Sequence, residues 1–404
     1  MSEFIQLHIL ASYPPSNLNR DDLGRPKTAM MGGSQRLRIS SQSLKRAWRT
    51  SDQFEESLHG LIGIRTRSLG EKIYGAMVSG QQLMDVVAGE KSDPVRPPLS
   101  EEDALIWSAG IADAYGALES PKEWEKGPQY KQMIHFRPSE IQAIDNLIAV
   151  IAGPEESAKD LEIDLGDLKQ MGSLISEGKS LTDPQKKKKN NLNKQVRSIT
   201  LFKKDTAADI SMFGRMMADA TDYNVEAAVQ VAHAITVHEV AVEDDYFTAV
   251  DDLNRGEENA GAGHLGESEF AAGLFYLYLC INRDLLVENL GGDETLANDA
   301  LRALTETAVK VAPTGKQASF ASRAYASYLL AERGCQQPRS LSVAYLTPLR
   351  DRNLLESAIT SLQETRKKMD AVYGTCSDGC CEMNVYAGEG KLEEVLDFVA
   401  GHHA

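Results

Sequence analysis

Apolar and polar positions alternate along residues 4–11, with Ile5, Leu7 and Ile9 on one face and Gln6 and His8 on the other. A period of two with one apolar face predicts a half-buried strand. Tyr13-Pro14-Pro15 ends it, and 18–33 reads as a loop carrying Arg20, Arg25 and Lys27. The stretch 36–49, RLRISSQSLKRAWR, then predicts a short basic strand at 36–39 and a helix over 41–57. Ser40 stands where a hydroxyl can accept from a free N–H of the first turn. Leu44, Ala47, Trp48 and Phe54 share one side of that helix, and Gln42, Lys45, Arg46 and Arg49 the other.

The period lengthens over 58–204. Helical patterns recur near 69–87, 104–118 and 141–151, and a lysine-rich segment at 185–204 reads as mobile. From Val225 to Val237 the period returns to two, with His233 on that apolar face. An acidic, glycine-bearing excursion fills 240–267, and 270–281 is apolar on both faces, as a central strand is. An amphipathic helix over 295–311 and a fourth strand over 318–330 follow, and helical pieces near 354–369 and 392–399 close the chain. Without the insertions the order is β-α-β-β-α-β, which predicts an α+β, ferredoxin-like or RNA-recognition-type sheet. The expected division is sheet at 1–60, helical insertion at 61–204, sheet at 205–239, a protruding loop at 240–267, and sheet with a C-terminal extension at 268–404.

Charge sharpens this division. The 404 residues carry a formal net charge of −16, yet residues 20–49 hold eight Arg or Lys against two Asp. Residues 179–204 hold nine against one, and 238–269 hold ten Asp or Glu against one Arg. Such blocks predict separate surfaces with separate partners. Lys45 and Arg49 repel one another at i,i+4 and sit near the positive end of the helix dipole. Two readings remain open, a solvated basic face and a phosphate site at the helix start.

Candidate chemistry adds little catalysis. GAGHLG at 261–266 has the letters of a dinucleotide motif, but it follows an acidic turn and precedes a strand, so a turn is the reading. Asp244, Asp245, Asp251 and Asp252 could ligate Mg²⁺ or form a solvated tip. His233 and His238 fall on opposite faces of the predicted strand and read as packing or hydrogen-bonding residues. Cys376, Cys380 and Cys381 read as free thiols. No nucleophile elbow, Walker loop or H-E-x-x-H occurs, so no catalytic residue, metal ligand or cofactor is assigned. No run approaches a membrane span, the N-terminus lacks a signal pattern, and a cytoplasmic protein is expected. In Gly214-Arg215-Met216-Met217 the residues by themselves read Met as core filler, with an apolar wedge beside a basic groove as the alternative.

Several strings together resemble the CasC backbone subunits of the type I-E CRISPR Cascade complex. They are SNLNRDD (16–22), RLRISSQSLKRA (36–47), GRM (214–216), AHAITVHEV (232–240), DYFTAVDDL (245–253), GHLGESEF with the strand after it (263–281) and ENLGG (288–292). The resemblance implies a palm with helical fingers and a thumb, assembled head-to-tail with other copies and other Cascade subunits along CRISPR guide RNA. It implies guide contacts by Arg20, Lys27, Arg38, Ser40, Gln42, Lys45, Arg46, Arg49, Arg215, Met216 and Thr248. It implies target-DNA contacts by Lys186, Lys187, Lys188, Lys189 and Lys194. The expected function is a non-catalytic RNA-binding scaffold for antiviral defence. The alternative is a metal-dependent RNA nuclease built on the aspartates of the excursion.

Overall fold

A computed structural model describes residues 2–154, 161–204, 206–249 and 264–401. Its contacts divide into two units: Met1–His59, Ala228–Glu288 and Gly292–Ala404 form the first, and Gly60–Ala227 with Asn289–Gly291 the second.

The chain starts with β1 (Phe4–Ser16), β2 (Thr28–Met31) and β3 (Ser34–Ile39), then α1 (Ser41–Arg49) and α2 (Asp52–Ser57). The second unit contains β4 (Ile64–Thr66), α3 (Leu69–Ser79), α4 (Leu83–Ala88), α5 (Glu101–Ala112) and β5 (Ile134–Phe136). It continues through α6 (Pro138–Ala152), α7 (Leu165–Ser176), α8 (Asp183–Thr200) and α9 (Ala208–Phe213). The first unit resumes with β6 (Val229–Val231), β7 (Ala234–Thr236), β8 (Glu243–Ala249), β9 (His264–Asn282), α10 (Arg283–Asn289) and α11 (Glu294–Lys310). It ends with α12 (Gln317–Phe320), β10 (Ala326–Gly334), α13 (Leu354–Tyr373), β11 (Gly379–Asn384) and α14 (Leu392–Ala400).

The first unit's sheet runs β11-β10-β1-β9-β7-β3-β2, and every pairing in it is antiparallel. Its four central strands, β10-β1-β9-β7, are the fourth, first, third and second of the β-α-β-β-α-β order, as a ferredoxin-like sheet requires. α11 packs with α1, α2 and α14 against the sheet. α13 lies in a second core with Leu10, Leu274, Tyr276, Tyr328 and Leu330, on the opposite face from Ile5, Leu7 and Ile9. β8 pairs with the N-terminal part of β9 from Glu243↔Phe270 to Ala249↔His264, so the acidic excursion begins as a two-stranded arm. The second unit has its own core of Leu69, Ile73, Phe136, Ile141, Ile148 and Leu192.

Four expectations are corrected. β1 is buried on both faces: His8 is enclosed, 2.8 Å from the Tyr276 hydroxyl and 3.1 Å from Glu332. The predicted strand over 225–237 is broken into β6 and β7. Val231 faces Leu279 but Ile235 faces Tyr276, so four steps on one strand span three on its partner. That extra residue is a bulge, and it inverts the alternation beyond it. The lysine-rich segment is the 18-residue helix α8, started by Pro184 and by a Thr182–Gln185 capping box. The fourth strand starts at Ala326, because Lys316 and Ala321 take left-handed conformations around α12 and turn the chain first.

Candidate nucleic-acid interface

The first unit presents a basic surface built from the loop after β1, strand β3 and helix α1. Ser40 caps α1 as its position predicts: its hydroxyl accepts from Ser43 N at 3.3 Å, and its own N–H donates to Asn19 Oδ1 at 2.8 Å. Leu44, Ala47 and Trp48 are buried, which fixes the helix roll and turns Gln42 and Arg46 outward. Phe54 is buried too, although on the separate helix α2, reached through a second cap at Ser51. Burial lowers the Lys45 ammonium below the ordinary lysine range.

Arg20 and Lys27 hold defined places because their loop is tied down. Asp21 Oδ1 accepts from Leu23 N and Arg25 N, and Lys27 N donates to Asn19 O at 2.8 Å. Asn17 Nδ2 donates to Gly24 O and to Glu269 O, each at 2.9 Å. A 520 Å³ cavity is walled by Arg20, Ser43, Arg46, Thr50 and the Thr314–Gly315 turn. Lys27 and Arg38 meet Asn19 at a neighbouring small cleft.

Arg36 and Arg38 are two apart on β3, so alternation gives them the same face, and what covers each one separates them. Arg38 points outward, with its guanidinium 2.7 Å from His233 Nδ1. Arg36 is fully buried, donating to Thr236 O at 2.8 Å and Tyr345 O at 3.0 Å. Among the described residues no carboxylate lies within ion-pair distance of Arg20, Lys27, Arg38 or Arg46. Thr248 lies on the arm, opposite Leu265. Its neighbours Tyr246 and Phe247 are exposed aromatics that sequence reasoning passed over. The signal was the strand-like run of β8 itself.

In the second unit, Gly214-Arg215-Met216-Met217 alternates in and out. Gly214 has φ 80° and lies so close to Val225 O that a Cβ would approach within 2.9 Å. Arg215 is corrected as an RNA ligand, because its side chain is enclosed. Its guanidinium donates to Glu140 at 2.6 Å and to the carbonyls of Tyr223 and Phe202. Met217 is buried, its N–H donating to Asn224 Oδ1 at 2.7 Å. Met216, between these two anchors, is 80% exposed at the rim of a 270 Å³ cleft. Core filler is therefore the wrong description of Met216.

The lysines of α8 divide by partner. Lys186, Lys188 and Lys189 pair with Asp183, Asp167 and Asp113, at 3.3, 2.5 and 3.0 Å. Lys187 and Lys194 are exposed and meet no carboxylate among the described residues.

Asp244 and Asp245 are exposed on β8, whereas Asp251 and Asp252 lie outside the described residues. Among the described residues no three His, Cys, Asp or Glu side chains are grouped to hold a metal ion. Gly261 and Gly263 also lie outside them, and His264 opens a strand rather than a helix. His233 and His238 both make hydrogen bonds, the second accepting from Leu274 N at 3.1 Å. The cysteines are free thiols, and Cys380 and Cys381 sit on edge strand β11. No helix among the described residues is long and apolar enough to cross a membrane.

Comparison with known proteins places this geometry. Among curated proteins none matches. A subunit of a solved "CRISPR RNA-guided surveillance complex, pre-nicking" superposes with a TM-score of 0.73 at 25% identity, covering 99% of this chain and 100% of that one. A chain of a second "CRISPR RNA-guided surveillance complex" shares the fold, with a TM-score of 0.64 at 22% identity, 99% of this chain and 100% of that one. The profile of the CT1975-like proteins (Cas_CT1975) matches residues 5–397, and the chain belongs to that family.

Proposed function

We propose that this protein is a non-catalytic RNA-binding scaffold of a CRISPR RNA-guided surveillance complex, working with guide RNA and with the other subunits of that complex. The observation that carries the reading is local: a chain of net charge −16 keeps Arg20, Lys27, Arg38 and Arg46 clear of carboxylates around one capped helix. Such a surface binds phosphates through charge and leaves base edges free, so the guide itself reads sequence by pairing. Ser40 and Gln42 add polar contacts, and Lys45 and Arg49 complete the cationic face.

The finer assignment is a CasC-like backbone subunit of a type I-E complex, several copies lying head-to-tail along one guide. In it Met216 stands at a kink as an apolar wedge, and Thr248 with the exposed aromatics of the arm presses on the strand. The acidic arm of one copy would dock on a basic surface of the next, a contact that does not close on itself. The lysines of α8 would meet target DNA.

The experiment is a native mass measurement of the purified protein with its co-purified RNA. A ladder of protein copies on one RNA of uniform length supports the scaffold. RNA-free monomer overturns it, and cleavage of guide precursor that Asp251→Ala abolishes would favour the nuclease.

A further inference from the structure

We propose that the turn at residues 312–324 is a second RNA-binding element of the first unit, with Lys316 as its phosphate ligand; this rests on the RNA-binding reading above. The turn faces α1 across the 520 Å³ cavity, where Thr314 and Gly315 form one wall and Arg20, Ser43, Arg46 and Thr50 the others. Asp21 and Asp22 also line it, but Asp21 is engaged in capping its own turn. Lys316 and Arg20 meet again at an adjoining 320 Å³ cavity, whose other wall carries Arg25, Asp244, Glu267 and Glu269. Glu269 is held there by Arg25 at 3.0 Å.

Three features show a built element rather than a slack connection. Gly315 is pressed against the 17–18 backbone, so that a Cβ would fall 2.4 Å from Leu18 O and 2.7 Å from Asn17 O. The turn is closed by Gln317 Nε2 donating to Pro313 O at 3.1 Å and by Phe320 N donating to Lys316 O at 3.1 Å. Lys316 itself takes φ 50°, a conformation unfavourable for a residue with a β-carbon. A lysine stands where glycine would be easier.

The composition points to an anion. Residues 312–324 contain Lys316 and Arg323 and no acid, in a chain of strongly negative charge. Among the described residues Lys316 forms no ion pair, and the backbone N–H groups of Thr314, Gly315 and Lys316 donate to nothing. A half-buried lysine beside Arg20, with free N–H donors on the wall that faces Arg46, is a site for a phosphodiester. The turn and α1 would thus hold the RNA backbone from two sides.

The test uses the full-length protein and a labelled mixed-sequence single-stranded RNA, titrated over a range of salt. Lys316→Gly removes the charge and eases the backbone, and Lys316→Asn removes the charge while tolerating the same φ. Both should bind more weakly, with the salt slope reduced by about 0.7, one phosphate contact on a single strand. Neither should lower the melting temperature, and Lys316→Arg should bind like wild type. Wild-type slope in the two neutral variants, or equal loss in Lys316→Arg, overturns the proposal while RNA binding stands. Failure of the wild type itself to bind RNA overturns the RNA-binding reading and this proposal with it.

Discussion

Arg38 on β3 and His233 in the bulge between β6 and β7 are joined by a 2.7 Å hydrogen bond. The guanidinium can only donate, so His233 Nδ1 accepts and its proton sits on Nε2. Partial burial first, then the charges of Arg38 and Lys27, hold the imidazole below the ordinary histidine value. A depressed histidine pKa means the unfolded chain takes up the proton first as pH falls. The group therefore weakens folding below about pH 6.5 and is silent above it. Arg38→Gln should raise the His233 pKa, followed by NMR of the imidazole Cε1–H. An unchanged midpoint would show that the pair does not form in solution.

Arg215 should behave as a core residue. Its side chain and that of Glu140 are both fully buried, and Glu140 also accepts from the N–H groups of Arg137 and Phe202. Arg215→Ala leaves that carboxylate underpaired in the interior. The expected cost is about 3–5 kcal/mol in urea unfolding. A loss under about 1 kcal/mol, as for surface changes, would mean the cage is not closed.

Met216 should behave in the opposite way. At 80% exposure, Met216→Ala should move stability by no more than ~0.5 kcal/mol. With guide bound, the same variant should even out the periodic chemical reactivity of the RNA, because an apolar side chain helps hold a base step open. Met216→Leu should keep the period. A marked fall in melting temperature with the period intact would return Met216 to packing.

The α8 lysines should split into two groups. Lys187→Ser with Lys194→Ser removes exposed cations, and should slow association with double-stranded target while leaving guide binding intact. Lys189→Ser should instead loosen the second unit, because Lys189 and Asn193 both bond the mostly buried Asp113. Stopped-flow association rates, set beside thermal melts, separate the groups. Equal rate losses from all three changes would contradict the division.

The parts of the chain that were legible in advance are those whose cause is local. Ser40, Leu44 and Trp48 announce a capped helix and its buried side within nine residues, and 270–281 announces a central strand by its own apolarity. The burial of His8 was not legible, because its partners Tyr276 and Glu332 lie 268 and 324 positions away. Arg215 reads as a free cation until Glu140, 75 positions earlier, is brought against it. The bulge at His233 needs the β9 register, which no pattern within β6 and β7 contains. One local signal was passed over: Thr182-Asp183-Pro184-Gln185 is a capping box with proline at the first turn, and it announces α8. The start of the fourth strand is not legible because apolar letters occur within and after α12, where only the dihedrals of Lys316 and Ala321 show the turn.

The position of β1 in the middle of its sheet has a consequence for how the protein is made. Its two neighbours are β9 and β10, so Ile5, Leu7 and Ile9 leave the ribosome long before the segments that cover them. At typical synthesis rates of 5–20 residues per second, residue 282 follows residue 16 by roughly 13–53 s. Most of the second unit, 60–227, is translated within that interval as an unbroken stretch. For that time the nascent chain carries an unpaired apolar strand, the kind of edge that other chains can capture. Chaperone demand should therefore fall on β1, and a nascent-chain crosslinker placed at Leu7 should report it.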